Sequence, residues 1–145
     1  MSNTSVPLGT VIHGSPPFGI DMPPLHGSIL LVEDESFVRE VTAEILVTAG
    51  YNVLTARSAV EGIREFRKHK GEVALLLVDI VLPGKNGRDM AKELMNEEPK
   101  LKTVFISGYP ASANDQKSIH NTIYLPKPFS LGLLMQKIRE VIAAS

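Results

Sequence analysis

The sequence predicts an α/β fold, a five-stranded parallel sheet covered by helices on both faces. Three observations point there. Short apolar runs alternate with helical patterns five times along the chain, as in a series of βα units. The runs are apolar at nearly every position, which strands buried on both faces require. At 145 residues the chain is long enough for one sizeable core and too short for two.

The elements follow in order. The first 27 residues hold five of the ten prolines and a single acidic or basic residue, Asp21, without helical or strand period. They read as a linker or tail, and the folded domain is expected over 28–145. "SILLVE" (Ser28–Glu33) is the first strand. Ser36 opens a helix whose apolar face is expected to carry Phe37, Val41 and Ile45, ended by Gly50. "NVLTA" (Asn52–Ala56) is the second strand. Ser58 with Glu61 forms a capping box, and Val60, Ile63 and Phe66 are expected to line the next helix, stopped by Gly71. "VALLLVD" (Val73–Asp79) is the third strand, followed by a helix from about Gly87 to Glu97 and closed before Pro99. "KTVFIS" (Lys102–Ser107) is the fourth. A polar helix is expected around Ser112–His120, a fifth strand over "TIYLP" (Thr122–Pro126), and a last helix from Ser130 to about Ala143 with Leu134, Ile138, Val141 and Ile142 on one side. Right-handed crossovers should connect the strands.

Composition narrows the function. Fifteen basic against sixteen acidic residues leave a net charge of −1, which disfavours nonspecific binding to nucleic acid or an anionic membrane. The absence of cysteine excludes disulfides, thiolate metal sites and cysteine catalysis. No apolar run reaches the ~20 residues that span a bilayer, and no secretory signal is visible, so a cytoplasmic location is expected.

In open α/β sheets, ligands bind outside the carboxyl ends of the strands. Here the first strand ends in Glu33–Asp34–Glu35, the third in Asp79, the fourth in Ser107–Gly108, and the fifth leads into Lys127. So many acids at one edge repel unless a cation lies between them. Hard oxygen ligands without cysteine favour Mg²⁺ or Mn²⁺. Lys127 can neutralise a further anion and Ser107 can donate to it. Together these are the parts of a phosphoryl-transfer site with Asp79 as nucleophile.

"ILLVEDE", "LLLVDIVLPGKNG", "FISGY" and "YLPKPF", in this order and spacing, resemble the receiver domain of two-component response regulators over about Ser28 to Ala144. The resemblance implies a flavodoxin-like (βα)5 doubly wound sheet with strand order 2-1-3-4-5. It implies that Asp79 accepts a phosphoryl group from a phosphohistidine on a sensor histidine kinase or histidine phosphotransfer domain. Asp34 and Asp79 would ligate the metal with the backbone carbonyl of Val81, and Glu33 would help through water. Lys127 would pair with the acids and then with the phosphoryl oxygens, in a cis Lys127–Pro128 bond. Ser107 would turn toward the phosphoryl group, and Tyr124 would be the aromatic switch. Glu33 stands where Asp is commoner, and Ser107 where Thr is commoner. Val81 and Tyr109 fall at variable positions that influence dephosphorylation. The resemblance further implies a domain that is no separate enzyme beyond its own phosphorylation and dephosphorylation, and it leaves open whether phosphorylation forms a homodimer. It implies no direct contact with nucleic acid and none with a membrane. "FISGYP" and the Pro-rich lead-in resemble receivers of hybrid sensor histidine kinases. No DNA-binding output domain is expected after the last helix, which leaves a free-standing receiver or one excised from a longer chain.

Singly, each residue has an ordinary role. The three acids suit a helix N-terminus, Asp79 a strand-end cap, Ser107 a turn, Lys127 the surface and Tyr124 a half-buried filler. His13, His26, His69 and His120 are scattered and form no ligand set. Two other functions compete. One is a receiver-like binding module that works without phosphorylation. The other is a Mg²⁺-dependent phosphatase, which would want a second aspartate where Val81 stands.

Overall fold

The computed structural model describes residues 22–108 and 122–144. The helix expected around Ser112–His120, together with Tyr109, His13 and His120, lies outside the described residues.

Five strands form one parallel sheet: β1 (Ser28–Val32), β2 (Val53–Ala56), β3 (Val73–Asp79), β4 (Lys102–Ser107) and β5 (Thr122–Pro126), in the order β2-β1-β3-β4-β5. Strand residues alternate faces, and each face has its own apolar layer. Leu30, Val32, Leu76, Val78 and Phe105 face one side, where α2 (Ala59–Lys68) and α3 (Gly87–Glu97) bring Phe66, Met90 and Leu94. Ile29, Leu31, Leu75, Leu77, Val104 and Ile106 face the other, where α1 (Ser36–Thr48) and α4 (Leu131–Ala143) bring Leu46, Leu134, Ile138 and Val141. Helices cover both faces, so strands need not alternate apolar with polar, and the continuous apolar runs find their explanation here.

The helix ends obey local chemistry. Ser58 caps α2 by accepting from the Glu61 N–H at 3.1 Å. The return half of the box is displaced by one residue: Glu61 Oε1 accepts from the Arg57 N–H at 2.9 Å. Ser130 caps α4 through the Leu133 N–H, and Asn86 caps α3 through the Arg88 N–H.

Two expected helix faces are corrected. Phe37 and Val41 point outward, Phe37 with 76% of its surface exposed, and the buried residues of α1 are Thr42 and Leu46. On α2, Val60 is exposed and Ala59, Gly62 and Phe66 are buried. Both helices carry more apolar residues than one face holds. Small residues decide the close approach: a Cβ on Gly62 would lie 3.0 Å from Val32 Cγ2.

Residues just before β1 also engage the core. Met22 and Leu25 pack against the α1/α4 layer, and the Tyr51 hydroxyl donates to the Pro23 carbonyl at 2.7 Å. Burial pushes the Tyr51 phenol up to about 12. No described helix is long and apolar enough to cross a membrane.

Candidate functional site

The acids converge at the carboxyl edge of the sheet, because β1 and β3 are adjacent and in register through Val32 and Val78. The next residues on the two chains are Glu33 and Asp79. Both are buried, Glu33 completely and Asp79 with 5% exposure, whereas Asp34 is exposed. One carboxylate oxygen from each of Glu33, Asp34 and Asp79 falls within 4.8 Å of the others.

Each oxygen of Asp79 has a partner. Oδ1 accepts from the Val81 N–H at 2.9 Å, and Oδ2 accepts from Lys127 Nζ at 2.6 Å. Lys127 enters from the end of β5, with its backbone N–H donating to the Ser107 carbonyl at 2.7 Å and a cis bond to Pro128. The same ammonium stands 3.1 Å from Glu33 Oε1. That contact is close enough for an ion pair but off the angle of a hydrogen bond, so Glu33 Oε1 accepts no hydrogen bond among the described residues. Glu33 Oε2 accepts from the Glu35 N–H at 3.2 Å.

Charge follows from this geometry. Burial raises the Glu33 pKa, and it outweighs the Glu35 N–H and Lys127, which act to lower it. For Lys127, burial favours the neutral amine, but the hydrogen bond to Asp79 and the ion pairing with Asp79 and Glu33 win and its pKa rises. The lysine is the local counterion of two buried acids.

A hard cation fits these donors. All three converging ligand atoms are carboxylate oxygens, and the buried Glu33 Oε1 that lacks a hydrogen-bond donor is among the site's oxygens. A groove of about 420 Å³ lies away from this centre, against Leu25, Gly71, Leu101 and Ile142 at the opposite end of the sheet.

The remaining expected residues sit around this centre. Ser107 ends β4, one residue beyond Ile106, the register partner of Asp79. Val81 follows Asp79 by two and is exposed. Tyr124 is half-buried on β5, with its ring 5.4 Å from that of Phe105 and under the Arg88 guanidinium at 5.8 Å.

Three further residues contribute. Gly87 begins α3 against the end of β3; a Cβ there would lie 2.2 Å from the Asp79 carbonyl oxygen. Arg39 on α1 donates from Nη1 to the carbonyl of Glu33 at 2.9 Å and toward that of Asp34 at 3.4 Å. Arg88 covers Tyr124. For Arg39 a signal existed: helical side chains lean toward the N-terminus, and it follows the acids by one and a half turns.

A family model described as "Response regulator receiver domain" matches residues 29–139. The chain is 36% identical over 117 residues to the sensor kinase CckA of Brucella abortus, covering 79% of this chain and 12% of that one. It thus spans about an eighth of that kinase. It is 34% identical over 122 residues to the response regulator receiver protein CpdR of the same organism, covering 81% of this chain and 98% of that one. Among solved structures, the receiver domain of the hybrid histidine kinase CckA superposes with a TM-score of 0.69 at 31% identity, covering 80% of this chain and 99% of the other. Response regulator TrrA of Thermotoga maritima, in complex with Mg²⁺-BeF, gives 0.70 at 29% identity, covering 79% and 98%.

Proposed function

This chain belongs to the response regulator receiver domain family, and on that premise we propose that it takes a phosphoryl group from a phosphohistidine onto Asp79 in a Mg²⁺-dependent reaction. The observation that carries this reading is the juxtaposition of a buried aspartate, a lysine 2.6 Å from it and two further acids within ligand distance of one another.

In the proposed step a carboxylate oxygen of Asp79 attacks phosphorus. The bond from phosphorus to the imidazole nitrogen breaks, the electron pair leaves with the imidazole, and that nitrogen takes up a proton. The product is an acyl phosphate, which water later hydrolyses to carboxylate and inorganic phosphate. Lys127 pairs with the incoming phosphoryl oxygens once they replace its contact with Asp79. The Val81 N–H, on Asp79 Oδ1, holds the carboxylate's orientation. Glu33, Asp34, Asp79 and the Val81 carbonyl would hold Mg²⁺, with Glu33 acting through water, and the ion supplies charge neutralisation between acids and phosphate. Ser107 would donate to the phosphoryl group and Tyr124 would follow, changing the β4–β5 surface for output.

The partner in this reading is a sensor histidine kinase or a histidine phosphotransfer domain in the cytoplasm. Likeness to a segment of a sensor kinase supports a hybrid kinase as the parent chain; likeness to CpdR over nearly its whole length supports a free-standing receiver. The test is mass spectrometry after treatment with acetyl phosphate and Mg²⁺. The wild-type protein is expected to gain one phosphoryl group and Asp79→Asn none. An Asp79→Asn protein that gains the mass as readily as wild type ends the assignment.

A further inference from the structure

We propose that Arg39 is a positioning residue that clamps the loop between β1 and α1, and so holds the carboxylates of Glu33 and Asp34 toward Asp79. The inference rests on the proposed metal-dependent phosphorylation and adds a residue to it.

The loop needs an external hold. It is only three residues long, Glu33–Glu35, between Val32 at the end of β1 and Ser36 at the start of α1. Glu35 occupies the N-cap of α1 but makes no side-chain cap hydrogen bond, and no acid stands in the first turn. Local capping chemistry, which orders the starts of α2, α3 and α4, is missing where the acids are. Within the loop, only the Glu35 N–H reaches back to a carboxylate, at 3.2 Å on Glu33 Oε2.

Arg39 supplies the hold. Its Nη1 lies 2.9 Å from the Glu33 carbonyl and 3.4 Å from that of Asp34, so one donor bridges two successive carbonyls of the loop. The guanidinium is spent on backbone rather than on a carboxylate. It therefore fixes the direction of the loop without competing for the oxygens a cation needs. Its charge, one peptide away from the acids, also offsets their mutual repulsion. Partners that orient metal ligands in this way typically control affinity by about 10–100-fold.

The experiment titrates Mn²⁺ alone against the full chain, following the free-ion signal by electron paramagnetic resonance, and then measures acetyl phosphate labelling as a function of Mn²⁺. Arg39→Met keeps the stem and removes the donors. It is expected to weaken Mn²⁺ binding about tenfold, to shift half-saturation of labelling by the same factor, and to keep the labelling rate at saturating Mn²⁺. A merely structural role would lower the labelled fraction at every Mn²⁺ concentration and leave half-saturation in place, and that result overturns the proposal. Arg39→Lys, with a single ammonium able to reach one carbonyl, is expected to lie between the two. Should Arg39→Met fail to fold, Arg39→Lys decides alone: a several-fold shift supports the clamp and an unchanged half-saturation refutes it. A wild-type protein that binds no Mn²⁺ and takes no label overturns the metal-dependent reading itself, and this inference with it. A wild type that does both, beside an Arg39→Met protein that matches it, overturns only the clamp.

Discussion

Replacing Gly87 by alanine tests how the end of β3 is held against α3. The added Cβ would meet three backbone atoms: the Asp79 carbonyl oxygen at 2.2 Å, Ile80 Cα at 2.9 Å and the Asp79 carbonyl carbon at 3.0 Å. None belongs to a side chain that could rotate away. Ordinary contact begins near 3.4 Å, so the start of α3 must retreat by about 1.2 Å. The Gly87 N–H donates to the Ile80 carbonyl at 2.8 Å, and a retreat of that size breaks the bond. Overpacking costs about 1–3 kcal/mol and the lost hydrogen bond roughly 1 kcal/mol; alanine's better helix propensity returns at most about 1 kcal/mol. With that gain counted in full, the expected net destabilisation is about 1–3 kcal/mol. Gly132 is the internal control. It is the second residue of α4, and a Cβ there meets only Ser130 Oγ, at 3.9 Å. Gly132→Ala should stabilise by about 0.5 kcal/mol. The assay is urea unfolding followed by circular dichroism, with midpoints compared at constant slope. The same substitution should move the midpoint down at Gly87 and up at Gly132. A Gly87→Ala protein as stable as wild type would refute the claim that α3 touches the end of β3 this closely.

Two further predictions concern the segment before β1. Because burial holds the Tyr51 phenol at about 12 instead of 10, the folded state keeps its proton longer than the unfolded chain does. The associated stability is fully present below pH 10 and is lost as pH rises through 12. Absorbance titration near 295 nm should show a late-titrating component that Tyr51→Phe removes; a Tyr51→Phe protein that keeps that component would contradict this. A protein starting at Ser28 should still fold, yet lose roughly 2 kcal/mol with the Tyr51–Pro23 bond and the Met22 and Leu25 contacts. Equal urea midpoints for proteins starting at Met22 and at Ser28 would show that the segment holds nothing.

The strands and their charged ends were legible because a strand buried on both faces must read as an unbroken apolar run, and a carboxylate can follow only at the strand's end, where a counterion such as Lys127 can meet it. Asp79 at the end of "LLLVD" is therefore visible without a fold. Its tie to Lys127 is not, since 48 residues separate them and only the neighbouring places of β3, β4 and β5 bring them together. The helix faces were misread for a different reason. Periodicity assigns apolar residues inward, but α1 offers Phe37, Val41, Ile45 and Leu46 on more than one side, and the sheet accepts the side whose small residues allow close approach. Thr42 is buried on α1 while Phe37 stays outside. Phe37 and Val60 are each the second residue of their helix, at the carboxyl ends of β1 and β2, the same edge that carries the acids. Local rules and the fold agree through the body of the sheet and part company at this edge, which is where a site that must stay open to a phosphoryl donor would require it.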